Sequence, residues 1–146
     1  MDLQNPKKKM SKSEETSKGC IYILDDINVS KKKIKSAVTD SDSHVHFDPI
    51  QKPGISNLLE IYSILSNQTI EDIEKQYEGK GYGEFKTDLA ELVGHELEKI
   101  QQRYKEITTG SYLDDILEEG AQKARIIARK KLAKVERKIG ITIKKR

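Results

Sequence analysis

The chain has 146 residues and a mass of 16.7 kDa. It is 35% charged, 35% hydrophobic and 5% aromatic, with no Trp and two Phe, which fits one domain or one domain with a short appendage and excludes a large aromatic core. No stretch of about 18 apolar residues is present to form a membrane-spanning helix, residues 1–18 lack the apolar run of a secretory signal, and the lone Cys20 can make no internal disulfide, as befits a cytoplasmic protein. The net charge of +3 hides a segregation: residues 1–54 carry ten Lys and eight acids (+2), residues 55–122 six Lys/Arg and fifteen Asp/Glu (−9), and residues 123–146 eleven Lys/Arg and only Glu136 (+10), so the tail suits a polyanion.

Residues 1–19 are polar and rich in Lys and Ser, and they read as a loop. Ile21, Tyr22, Ile23 and Leu24 form a short β-favouring run that Asp25-Asp26 ends, so one short strand or extended stretch is expected there. A helix is predicted over 28–38, capped by Asn28 or Ser30, with Val29, Ile34, Ala37 and Val38 as its apolar face. After a loop over 39–54, a second helix starts at Lys52-Pro53-Gly54 and carries Ile55, Leu58, Leu59, Tyr62 and Leu65 at helical spacing. Thr69 and Asp72 resemble a capping box for a third helix lined by Ile70, Ile73 and Tyr77. Gly79, Gly81 and Gly83 break it.

The fourth helix is the clearest, because Phe85, Leu89, Leu92, Val93, Leu97, Ile100, Tyr104 and Ile107 form a sustained apolar stripe. Ser111 is expected to cap a fifth, striped by Leu113, Ile116, Leu117, Gly120, Ala121, Ala124, Ala128, Leu132, Val135 and Ile139, and Gly140 to end it. Acidic first turns and basic last turns suit its dipole. Both stripes are expected to be core. The predicted fold is mostly α, a helical bundle behind a polar loop and a short strand.

Several signals carry little chemistry. His44 and His46 have no third metal ligand near in sequence and read as a solvated loop. The spaced glycines at 79, 81 and 83 follow no strand and read as a hinge. Cys20 reads as a small buried residue, and Asp25-Asp26 as a turn or helix cap.

Lys9-Met10-Ser11-Lys12-Ser13 is different: it is the KMSKS signature of class I aminoacyl-tRNA synthetases, specific but short. Its surroundings extend the match. Pro6-Lys7-Lys8 leads in and Ser13-Glu14 leads out. Ile23-Leu24-Asp25-Asp26, the run Lys32 to Ser41 (KKIKSAVTDS), the run Lys52 to Tyr62 (KPGISNLLEIY), the run Tyr77 to Lys86 (YEGKGYGEFK) and Glu119-Gly120-Ala121 follow in order. Taken together, these blocks resemble the C-terminal part of bacterial tryptophanyl-tRNA synthetases over nearly the whole chain. The family's Rossmann half, with its HIGH-type signature and tryptophan pocket, is absent from the 146 residues, and Met1 is read as an internal methionine of a longer protein.

The resemblance implies a tryptophan–tRNA ligase that activates tryptophan with ATP and transfers it to tRNA(Trp), working as a homodimer. Residues 1–40 would be the KMSKS loop and the end of the catalytic domain, and 41–146 the helical anticodon-binding domain. Lys9 and Lys12 would stabilise charge growing on the ATP phosphates, with Lys12 the main catalytic candidate, and Met10, Ser11 and Ser13 would complete the cradle. Mg²⁺ would arrive with ATP, and no metal site of the protein's own is expected. Candidate RNA phosphate contacts are Lys123, Arg125, Arg129, Lys130, Lys131, Lys134, Arg137 and Lys138. The 146 residues alone are expected to be inactive. Two alternatives stand beside this: a stand-alone synthetase-derived RNA-binding module without catalysis, and a structural or regulatory partner that uses its helical stripes.

Overall fold

A computed structural model describes residues 1–11 and 17–141. It contains a 3₁₀ turn, Ser17–Gly19, and the helices α1 Ile27–Lys35, α2 Pro53–Ser66, α3 Ile70–Gln76, α4 Tyr82–Thr108 and α5 Tyr112–Ile139. The chain divides into two compact units, Met1–Gln102 and Arg103–Arg146.

In the first unit the apolar stripes form one core. Pro53 opens α2 at a position where its missing N–H is not needed, and Ile55, Leu58, Leu59 and Tyr62 turn inward. Gly54 is required there, since a Cβ would stand 2.3 Å from the Val38 carbonyl oxygen. Thr69 caps α3 by accepting from the Asp72 N–H. The Asp72 carboxylate accepts from the Thr69 hydroxyl at 2.8 Å rather than from the Thr69 N–H, so only the forward half of the expected capping box forms. In α4 the residues Phe85, Leu89, Val93 and Leu97 recur every fourth position and are buried. Three of the eight aromatic residues meet in this core: Tyr62, Tyr77 and Phe85 pack with ring centroids 5.1–6.0 Å apart. The Tyr77 hydroxyl donates to Asp88 at 2.6 Å. Leu3, Ile34 and Ala37 share this core with Val45 and Ile55, so packing is continuous across position 40.

Two expectations fail in the N-terminal part. Residues 21–24 form no strand; Ile21 and Tyr22 lead into a turn in which the Asp25 N–H donates to the Tyr22 carbonyl. Side chains take the backbone acceptors that a neighbouring strand would have used. Lys33 donates to Cys20 O at 2.8 Å, and Gln101 Nε2 donates to Ile23 O at 2.9 Å and Asp25 O at 2.8 Å. Helix α1 is also shorter than predicted, and its cap is neither Asn28 nor Ser30 but Asp26, whose carboxylate accepts from the Asn28 and Val29 N–H groups. It ends at Lys35 because Val38 turns away to donate to Leu3 O at 2.8 Å. Its inward face is Ser30, Lys33 and Ile34, with Ala37 beyond it, while Val29 and Val38 are exposed.

The loop 39–52 is tied down by carboxylates. Asp48 Oδ1 accepts from the Ile50 and Gln51 N–H groups, each at 2.9 Å. Lys52 donates to Asp42 and to His44 O. The Gln51 and Ile50 N–H bonds lower the Asp48 pKa, and the Lys52 hydrogen bond lowers that of Asp42. A lowered carboxylate pKa stabilises the fold above the unfolded value of about 3.9, and that contribution is lost as pH falls through the folded value. The thermal midpoint is therefore expected to drop below about pH 4. Asp48→Asn keeps the acceptor but removes the proton-binding group, so it should flatten the drop; an equal fall in both proteins would contradict this origin.

The second unit holds the end of α4 and all of α5. Ser111 stands before α5 but does not cap it: its backbone is already helical (φ −85°, ψ −10°), and its hydroxyl donates to Asp115 at 3.0 Å. Gly140 ends the helix in the left-handed region, φ 74°. The stripe expected to be core is not buried, for no residue of α5 is. Leu117, Leu132 and Ile139 are 60%, 56% and 60% exposed.

Candidate functional site

Two places collect the residues singled out by sequence. The first is the start of the chain. Asp2 Oδ1 accepts from the Gln4 and Asn5 N–H groups, both at 2.8 Å, which is how an Asp side chain builds a tight turn. The Lys8 N–H donates to Asn5 O and the Asp2 N–H to Lys8 O, each at 2.8 Å, closing residues 2–8 into one knot. Leu3 is 1% exposed and locks the knot to the core. Its N–H donates to Gly19 O at 2.9 Å, joining the chain that precedes the signature segment to the chain that follows it.

Lys9 leaves this knot exposed, whereas Met10 packs partly against the core. Met10 thus anchors the start of the segment through its side chain. Ser11 is half-buried. Lys12 and Ser13 lie outside the described residues. Beyond the segment, Cys20 is buried with a free thiol, as expected of a small packing residue. Lys33 was not singled out by sequence, yet its buried amine ties Cys20 O to Asp25 Oδ2 at 2.7 Å and stands 5.2 Å from the Tyr22 ring. Asp2 was missed as well. An Asp two residues before Gln4-Asn5-Pro6 is the available signal for it.

His44 and His46 are exposed in the loop 39–52. His46 Nδ1 stands 3.0 Å from Glu74 Oε1, which also accepts from the Phe47 N–H. No three His, Cys, Asp or Glu side chains among the described residues come close enough to hold a metal ion.

The second place is α5. All eight candidate cations, Lys123, Arg125, Arg129, Lys130, Lys131, Lys134, Arg137 and Lys138, are exposed. At about 100° per residue, six of them (Lys123, Lys130, Lys131, Lys134, Arg137 and Lys138) fall within an arc of roughly 120°. Arg125 and Arg129 fall on the other side of the apolar stripe. Acids engage part of this charge: Arg125 pairs with Glu118 at 3.0 Å, and Lys123 pairs with Glu119 one turn earlier. The structure therefore gathers six of the predicted contacts on one side of the helix and sets two apart.

Comparison with known proteins follows the same lines. A family model described as tRNA synthetases class I (W and Y) matches residues 1–98. The tryptophan–tRNA ligase of Bacillus subtilis (strain 168) is 55% identical over 146 residues, which is 100% of this chain and 44% of the relative. That of Listeria innocua is 52% identical over the same spans. Among solved structures, tryptophanyl-tRNA synthetase from Mycoplasma pneumoniae superposes with a TM-score of 0.73 at 32% identity, covering 96% of this chain and 43% of that one. The Campylobacter jejuni enzyme gives 0.71 at 33% identity, covering 96% and 44%. The chain spans less than half the length of these relatives. A match of this extent to the family model, on a helical fold shared with solved members, establishes that the chain belongs to the class I tRNA synthetases (W and Y).

Proposed function

We propose that the chain is the C-terminal portion of a cytoplasmic, homodimeric tryptophan–tRNA ligase, which activates tryptophan with ATP and passes it to tRNA(Trp). The observation that carries this is the KMSKS signature, Lys9 to Ser13, within a chain 55% identical along its full length to a tryptophan–tRNA ligase. Residues 1–40 complete the catalytic domain, and residues 41–146 form the tRNA-recognition domain. When the tryptophan carboxylate attacks the α-phosphate, pyrophosphate departs and negative charge grows on its oxygens. Lys9 and Lys12 lie at the spacing to follow that charge, because a lysine is a compact cation on a long stem. Backbone N–H groups of Met10 and Ser11 and the hydroxyls of Ser11 and Ser13 add donors. ATP brings its own Mg²⁺.

The exposed cations of α5 fit RNA phosphates. Replacing Lys130, Lys134 and Arg137 together by Glu is expected to weaken tRNA(Trp) binding by the full-length protein at least tenfold. It should also flatten the dependence of log K on log salt by about one for each phosphate that the helix no longer neutralises. An unchanged salt slope would remove α5 from the interface.

The reading as a whole is tested by tryptophan-dependent ATP–pyrophosphate exchange. The full-length protein should catalyse it and the 146-residue chain should not, since the tryptophan pocket lies elsewhere. The alternative of a stand-alone RNA-binding module predicts salt-sensitive, tRNA(Trp)-selective binding by the 146 residues themselves. Equal affinity for unrelated tRNAs would exclude that alternative.

A further inference from the structure

We infer that Asp2 is a positioning residue for the signature segment: by holding residues 2–8 in a closed knot against Gly19, it sets the place from which Lys9 reaches the ATP phosphates. The inference rests on the phosphate-binding role proposed for Lys9. It starts from an unusual residue, a carboxylate only 4% exposed. Burial of a carboxylate is costly unless hydrogen bonds replace its water. Asp2 meets that demand locally, with Oδ1 accepting from the Gln4 and Asn5 N–H groups at 2.8 Å each.

The same residue acts through its backbone. Its N–H donates to the carbonyl of Lys8, the residue directly before Lys9, at 2.8 Å. The Lys8 N–H returns to Asn5 O at 2.8 Å. Side chain and backbone of Asp2 thus hold both ends of the turn that delivers Lys9. Any change that frees Gln4 and Asn5 loosens the hold on Lys8 as well.

The opposite wall is Gly19. A Cβ at that position would stand 2.0–2.3 Å from the Asp2 carboxylate atoms, closer than any real packing contact. The chain on the far side of the signature segment is therefore shaped to receive this carboxylate, with Leu3 N–H on Gly19 O at 2.9 Å as the cross-link. An anion-binding lysine needs a fixed base more than a fixed stem. Its four side-chain torsions can search for the phosphate only if its Cα is already in place. Misplacement of a catalytic group by about 1 Å can cost on the order of 100-fold in rate.

Three variants of the full-length protein test this. Asp2→Ala removes both acceptor bonds and is expected to lower kcat for tryptophan-dependent ATP–pyrophosphate exchange by about 10- to 100-fold, with KM for tryptophan within about twofold. Asp2→Asn keeps a carbonyl oxygen for the same two N–H groups and should retain kcat within about threefold. Lys9→Ala reports on the phosphate role itself. On the 146-residue chain, hydrogen exchange at the Gln4 and Asn5 amides should quicken in Asp2→Ala and not in Asp2→Asn. A wild-type kcat in Asp2→Ala beside a slow Lys9→Ala overturns the positioning role and leaves the phosphate reading standing. A fast Lys9→Ala overturns the phosphate reading, and the amide-exchange pair still decides whether Asp2 holds the turn. A folded Asp2→Asn as slow as Asp2→Ala also overturns the inference, because the charge rather than the acceptor geometry would then matter.

Discussion

Replacing Lys12 by alanine in the full-length protein should slow formation of the tryptophanyl adenylate by about 10²- to 10³-fold, the usual loss when one transition-state donor is removed. The effect belongs in kcat and kcat/KM rather than in tryptophan affinity. On the proposed role, charge builds on the leaving pyrophosphate only as the bond to the α-phosphate breaks, so a contact from Lys12 would strengthen at that moment. Arginine should restore only part of the rate, because its planar fork does not reproduce a mobile point charge. Single-turnover measurement of adenylate formation separates this step from transfer to tRNA. A rate unchanged in Lys12→Ala would end the assignment of that lysine.

The largest effect on stability is expected from Phe85→Ala. Phe85 is fully buried and packs against Tyr62 and Tyr77, with centroids at 5.6 Å and 5.1 Å. Truncation removes the ring at the centre of an aromatic cluster whose other members are fixed in place. Tyr77 is held by its hydrogen bond to Asp88, which limits how far the site can collapse. Burial, then the Asp88 hydrogen bond, drives the Tyr77 pKa strongly upward, so its phenol stays a donor throughout the range of an ordinary denaturation experiment. The cost is about 3–5 kcal/mol, a large share of the ~5–15 kcal/mol by which domains are stable. Urea denaturation of the 146-residue chain measures it. A loss below about 1 kcal/mol would show that the cluster carries no such weight.

Helices α2 to α4 were legible in the sequence because most of their striped apolar residues repeat at helical spacing and are buried, as Leu58 and Leu59, Ile73, Phe85 and Leu89 are; the α4 stripe is core only as far as Leu97, for Ile100 and Tyr104, also expected to be core, are exposed. The fifth stripe was legible as a helix but not as a surface. Periodicity reports which side of a helix is apolar and says nothing about whether a neighbour covers it, and in α5 none of its residues is buried. The expected strand at 21–24 failed for a similar reason. Strand propensity describes side chains that suit a sheet, whereas the backbone acceptors at Cys20, Ile23 and Asp25 were claimed by Lys33 and Gln101, 13 and up to 78 residues away.

The site was legible in part. The signature motif points to Lys9 and Lys12, of which the structure describes Lys9, exposed at the end of its turn, and charge counting points to eight cations of α5, all exposed. Asp2 was invisible to both approaches, since its importance lies in burial and in two local N–H bonds rather than in any motif. Lys33 was hidden as one of several lysines in α1, although it alone among them is buried. Of the neighbouring acids, Asp26 fits the expected turn or cap residue, but the cap expected at Asn28 or Ser30 lies two or four residues past it, and the helix starts one residue earlier than expected, at Ile27.

Amino-acid discrimination by the full-length protein tests the central claim most directly, because the matching family holds both W and Y enzymes. ATP–pyrophosphate exchange measured with tryptophan and with tyrosine as the sole amino acid should proceed with tryptophan and stay at background with tyrosine. Exchange driven by tyrosine, or by neither, would contradict the account.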